Sequence, residues 1–213
     1  VIPIDRPHEV LRLETEPFFF WHSVNGHERA GGRELVLDLV RYPHFAATRD
    51  ALAARSDGGP LPIGAGGSSL ARAVLDLPAR RVRWETLADR PCEFPAVASA
   101  RQGAPCDSAW LATQAQPAAR DGWFNGLTRF DLERGTSRDI GLGAHRSVSE
   151  PALVAKREGD GHWLLCLVAD HEAGRSWLGV WDADGADDEP RARVWFDQLV
   201  PPPLHGCWMG ARD

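Results

Sequence analysis

Short runs of alternating polar and apolar residues, each closed by a tight polar turn, constrain this chain more than any other feature of its sequence. Residues 34–40 (ELVLDLV) alternate as a strand with one buried face does. Residues 127–132 (LTRFDL) run into the turn Glu133-Arg134-Gly135 and resume over 137–142. The strongest pair is 162–169 (HWLLCLVA) and 177–181 (WLGVW), joined through the polar turn at 170–175. Residues 192–196 (ARVWF) follow a second turn, while 81–84 and 109–114 are weaker strands. A repeat of strand, turn and strand predicts an all-β fold, as a sandwich, barrel or propeller, and argues against βαβ units. One helical interruption is expected over 43–54, and the glycine-rich stretch 56–69 (SDGGPLPIGAGGSS) reads as a flexible loop. The whole of 1–213 reads as one domain.

Composition narrows the partners. Over 213 residues the formal net charge is -6, and no basic stripe is available to neutralise phosphates, so nucleic acid is excluded as a partner. Cys92, Cys106, Cys166 and Cys207 fall in no C-x-x-C pair, which points to reduced thiols rather than a zinc site or a disulfide framework. There is no signal-peptide pattern and no apolar run long enough to span a bilayer. The chain opens at Val1 in an extended-looking stretch without an initiator methionine, as a segment cut from a longer polypeptide would.

Three segments stand out against this background: Phe18-Phe19-Phe20-Trp21-His22-Ser23-Val24-Asn25-Gly26-His27-Glu28; Cys92-Glu93-Phe94-Pro95 together with Ser149-Glu150-Pro151-Ala152-Leu153-Val154; and Val200-Pro201-Pro202-Pro203-Leu204-His205-Gly206-Cys207-Trp208. By spacing alone they carry little, since His22 and His205 are far apart and a histidine among aromatics is commonly a hydrogen-bonded core residue. Taken together, they resemble the carotenoid oxygenase family in order, spacing and flanks. The similar elements are an aromatic-His-x-x-Asn segment ahead of Leu35-Val36-Leu37-Asp38, a Glu-Phe-Pro step, a Phe130-Asp131-Leu132 hairpin with Gly135, a Ser-Glu-Pro strand start and a Pro-rich approach to His-Gly-x-Trp.

The resemblance implies an all-β fold, the C-terminal portion of a seven-bladed β-propeller, incomplete in this chain. It implies Fe(II) held by four histidines, with glutamates bonded to the far nitrogens of the rings. His22 and His205 would be two ligands, and Glu93 and Glu150 two of the supporting carboxylates. Four neutral imidazoles suit Fe(II) and leave positions for O2, while a carboxylate behind each ring sets its tautomer. Gly206 would let the backbone approach a crowded centre, and Pro151 would hold Glu150 extended.

The implied reaction is cleavage of a C=C bond in an apolar conjugated small molecule (carotenoid, apocarotenoid or stilbene) by O2, giving two carbonyl products. The other two histidines and one glutamate would lie in a half not present here, so 1–213 alone is expected to hold iron poorly and to be inactive. The other reading is a non-catalytic propeller or binding module from a truncated or split gene. Residue roles stay open in the same way: His22 and His205 as buried hydrogen-bonded histidines, Glu93 and Glu150 as surface ion-pair residues, and Phe18–Trp21 as tunnel lining or core. Asn25, Glu28 and the remaining histidines read as structural or turn residues. The expected location is the cytoplasm, with a peripheral membrane contact of the complete protein as the alternative.

Overall fold

The computed structural model describes residues 1–46, 49–50, 53, 67–115, 124–200, 203 and 205–210. Among them thirteen strands form three antiparallel sheets, taken up in chain order. The first holds β1 (Ser23–Arg29), β2 (Glu34–Arg41), β3 (Ser69–Asp76) and β4 (Arg81–Ala88) side by side. The second repeats that meander with β5 (Cys92–Ala96), β6 (Ser108–Thr113), β7 (Gly126–Asp131) and β8 (Ser137–Gly141). In the third, β9 (Arg146–Val148) and β10 (Ala152–Ala155) share one edge of β11 (His162–Asp170), followed by β12 (Arg175–Asp182) and β13 (Ala192–Trp195). The all-β expectation holds.

Two apolar seams join the sheets, and both run through the second one. Strand alternation sends Ala109 and Leu111 of β6 toward Val24, Val40 and Leu70 of the first sheet. The intervening Trp110 and Ala112 meet Leu164, Val168, Trp177 and Trp181 of the third. A strand buried on both faces loses its polar alternation, which is why 109–114 reads weakly in sequence. Inside the first sheet Asp38 sits opposite Arg72. The Arg72 guanidinium grips both of its carboxylate oxygens, at 2.7 and 2.9 Å, satisfying a charge that is nearly out of water.

Several sequence expectations are sharpened. β1, β3 and β5 have no counterpart among the alternating runs. Of the helix expected over 43–54, Ala46, Arg49, Asp50 and Ala53 are helical, and the Arg49 N–H donates to the Phe45 carbonyl. The loop expected over 56–69 lies outside the described residues as far as 66. Its end is not loose: Ser68 is buried and bonded to the backbone of Cys92, and Ser69 opens β3. All four cysteines are free. Burial raises the Cys166 thiol to about 12, with Ser149 opposing.

Gly179 shows how tightly the third sheet is packed. It lies between Trp177 and Trp181 on one face of β12, and a Cβ there would come within 2.2 Å of the Trp181 ring. Gly26 offers a contrast, since a Cβ would meet Leu37 at an ordinary 3.4 Å. Gly179→Ala should destabilise the protein by about 1–3 kcal/mol, as overpacked cores do. Gly26→Ala should cost clearly less, and the two are ranked by urea unfolding followed by tryptophan fluorescence.

Candidate metal centre

The opening strand of each sheet lies at a sheet edge, and each is irregular at a residue singled out from sequence. In β1 the register slips between Ser23 and Asn25, directly after His22. In β5 it slips between Glu93 and Ala96. In the third sheet the edge strand is broken outright between β9 and β10, where Ser149, Glu150 and Pro151 stand. Pro151 has no N–H to donate to a ladder, which accounts for a break at this point. Bulges and breaks of this kind turn side chains out of the regular pleat.

His22 is carried by the first sheet, its carbonyl accepting from the Val40 N–H. Its Nδ1 lies 2.6 Å from Oε2 of Glu93. Glu93 is fully enclosed, yet three donors surround its carboxylate: His22, the Phe94 N–H at 3.0 Å on Oε2, and the Tyr42 hydroxyl at 2.9 Å on Oε1. Three donors fit the ionised, acceptor-only form, so the His22 proton sits on Nδ1 and the Nε2 lone pair is left for another partner. The bond to Glu93 holds the His22 imidazole above its ordinary value; burial opposes this, and Glu150 adds a smaller push. Burial, followed by the Glu93 charge, drives the Tyr42 phenol far upward, so it stays a donor.

His205 reaches the same place from the segment 205–210. Its ring centre is 5.1 Å from that of His22, the two planes inclined at 71°. Glu150 is its acidic neighbour, but Nδ1 to Oε2 is 3.4 Å, longer than a good hydrogen bond. The same oxygen accepts from the Gly206 N–H at 2.9 Å. Within this chain no described atom lies within 4 Å of a Cβ placed at Gly206, and its N–H is bonded to Glu150. Phe94 packs beside both imidazoles, with centroids at 5.4 Å from His22 and 6.2 Å from His205. It holds φ at 55°, an unfavourable angle for a residue with a side chain, and one that keeps its N–H on Glu93.

The other sequence readings divide. Asn25 is structural: its side chain donates to the carbonyls of Arg101 and Ala104 and accepts from the Gly103 N–H. Phe18 and Phe19 pack against Trp84 and Tyr42, whereas Phe20 and Trp21 are exposed. Tyr42 was missed. It is the sole tyrosine of the chain, a singularity that was its only signal.

The donor set passes a simple test. Two imidazoles sharing one metal through bonds of about 2.1 Å have ring centres on the order of 5 Å apart, as His22 and His205 do. Among the described residues no group of three or more His, Cys, Asp or Glu side chains gathers to hold a metal. The pair is thus suited to two corners of a centre.

Residues 1–210 match the family described as retinal pigment epithelial membrane protein, RPE65. The chain belongs to this family, the carotenoid oxygenases. It is 28% identical over 206 residues to an apocarotenoid-15,15'-oxygenase of Synechocystis sp., covering 94% of this chain and 40% of that protein. A chloroplastic 9-cis-epoxycarotenoid dioxygenase of Oryza sativa subsp. japonica is also 28% identical, over 94% of this chain and 31% of its own length. Among solved structures, a cobalt-substituted Synechocystis enzyme aligns with a TM-score of 0.79 at 25% identity, over 95% of this chain and 42% of that one. A lignostilbene dioxygenase of Pseudomonas brassicacearum aligns at 0.73 and 21% identity, over 91% and 42%. The three sheets are accordingly part of the propeller fold of the carotenoid oxygenases, and the chain spans less than half the length of these relatives.

If Glu93 aims His22 at a metal, Glu93→Gln in the complete protein should weaken Co(II) binding about 10- to 100-fold, the usual effect of removing a carboxylate behind a ligating histidine. Glu150→Gln, whose contact with His205 is longer, should weaken it less. Chelator-competition titrations of both variants give the ranking.

Proposed function

We propose that the protein carrying this chain is a non-haem Fe(II) dioxygenase that cleaves a C=C bond of an apolar conjugated substrate. One oxygen atom of O2 goes to each former alkene carbon, giving two carbonyl products and leaving no other atom to account for. His22 and His205 would hold the iron through Nε2, with Glu93 and Glu150 behind them, and further ligands would come from outside this chain. When bound, Fe(II) supplies the oxygen chemistry that side chains lack.

The residues supply the rest. Glu93 keeps the His22 proton on Nδ1. Phe94 packs beside both imidazoles, with Phe124 behind it, and gives the pair one apolar wall. The observation that carries the reading is the convergence of two imidazoles, 183 positions apart in sequence (205 minus 22), to 5.1 Å, each backed by a carboxylate.

Candidate substrates follow from the relatives: apocarotenoids and carotenoids on one side, lignin-derived stilbenes on the other. Residues 1–213 alone, with two candidate ligands, should bind Fe(II) substoichiometrically and turn nothing over. A tight one-to-one complex of this segment would overturn that part of the proposal. The complete protein, loaded with Fe(II), should release aldehydes from either an apocarotenal or lignostilbene, followed by chromatography. An absence of aldehyde from both, with iron bound, would move the protein to a non-catalytic binding role.

A further inference from the structure

Nothing in the proposed reaction needs Tyr42, yet the structure bonds its hydroxyl to Glu93, with Ser68 as a further polar neighbour. The Tyr42 hydroxyl donates to Oε1 of Glu93 at 2.9 Å, from a ring only 4% exposed within the apolar seam between the first and second sheets. Its backbone is fixed as well, because Tyr42 and Phe19 exchange both N–H···O bonds at 2.8 and 3.0 Å. Beside it, Ser68 at the start of β3 donates to the Cys92 carbonyl at 3.0 Å and accepts the Cys92 N–H at 3.1 Å. Polar groups of the first sheet therefore hold two consecutive residues of β5, the second being Glu93.

The geometry points to Tyr42 as a positioning residue of the metal centre, acting on His22 through Glu93. The terminal torsion of a glutamate is soft and roughly two-fold, so a carboxylate held at one oxygen can swing. Here the oxygens have separate duties. Oε2 serves His22 and the Phe94 N–H, and Oε1 is occupied by Tyr42. With both oxygens engaged, the carboxylate plane is set and the His22 ring has one orientation. Without the phenol, Oε1 loses the donor it has here, and the carboxylate gains by turning toward another, Ser68 or His22. Positions that support a ligand's own support act on metal affinity in this indirect way.

This inference rests on the proposed metal-holding role of His22, and the experiment separates the two. The complete protein is prepared as wild type, Tyr42→Phe, Glu93→Gln and the double variant; Co(II) affinity is measured by chelator competition, with the visible Co(II) spectrum and the metal-free melting temperature. Tyr42→Phe should weaken Co(II) binding about tenfold and shift the Co(II) bands, while the metal-free protein keeps its fold. In the Glu93→Gln background the same change should have little further effect, because its route to His22 is already cut. Wild-type affinity in Tyr42→Phe, or full additivity with Glu93→Gln, overturns the inference and leaves the metal reading intact. A wild-type protein that binds no Co(II) overturns both. A Tyr42→Phe protein that does not fold assigns the hydroxyl to the fold and overturns the inference alone.

Discussion

The Glu93 carboxylate is the constraint around which this part of the propeller is arranged. A negative charge enclosed by protein is costly unless every oxygen finds a donor, and the donors for Glu93 come from three places: Tyr42 at the far end of β2, His22 ahead of β1, and the backbone of Phe94. Satisfying it forces the first and second sheets into one relative position. The apolar contacts among Val40, Leu70, Cys92 and Leu111 then close the seam. Apolar contact alone would tolerate sliding, whereas three directed bonds on one carboxylate do not.

Regular strands cannot present such a site. In an uninterrupted pleat every second side chain enters a seam between sheets, and the rest point to the other face. A polar group directed along the end of a sheet needs a departure from that pattern. The chain makes one in each opening strand: the register slip after Ser23, the slip after Glu93 with Phe94 at φ 55°, and the break at Pro151. The strain at Phe94, about 1–3 kcal/mol for such a residue, is matched by what its N–H and ring do there. One contacts Glu93, and the other packs on both imidazoles.

These departures decide what the sequence could disclose. The pattern of apolar runs closed by polar turns disclosed β2, β7, β8, β11, β12 and β13. It missed β1 (SVNGHER), whose Asn25 points to the 101–104 turn and whose Gly26 gives no hydropathy signal. It missed β3 (SLARAVLD) because Arg72, the residue that breaks the apolar run, is neutralised by Asp38 across the sheet, a pairing visible only in register. It missed β5 because a Glu-Phe-Pro step does not read as strand. His22, Glu93, Glu150 and His205 were legible for a different reason: their flanks form recurring short motifs. Tyr42 has no such motif, and its part follows only from where β2 ends.

The two arms of the site are held with unequal firmness, and this bears on how such a centre works. His22 is braced by a 2.6 Å bond to a carboxylate that is itself fixed on both oxygens. His205 keeps most of its side chain exposed, and its carboxylate neighbour spends its nearer oxygen on the Gly206 N–H. A ligand already in place adds its full bond to metal affinity, while one that must be drawn in loses part of that gain to the entropy of ordering it. In the proposed centre, affinity would therefore rest more on the braced His22 than on His205. The His22–Glu93–Tyr42 arm is the more firmly braced of the two, with bonds of 2.6 and 2.9 Å against 3.4 Å between His205 and Glu150.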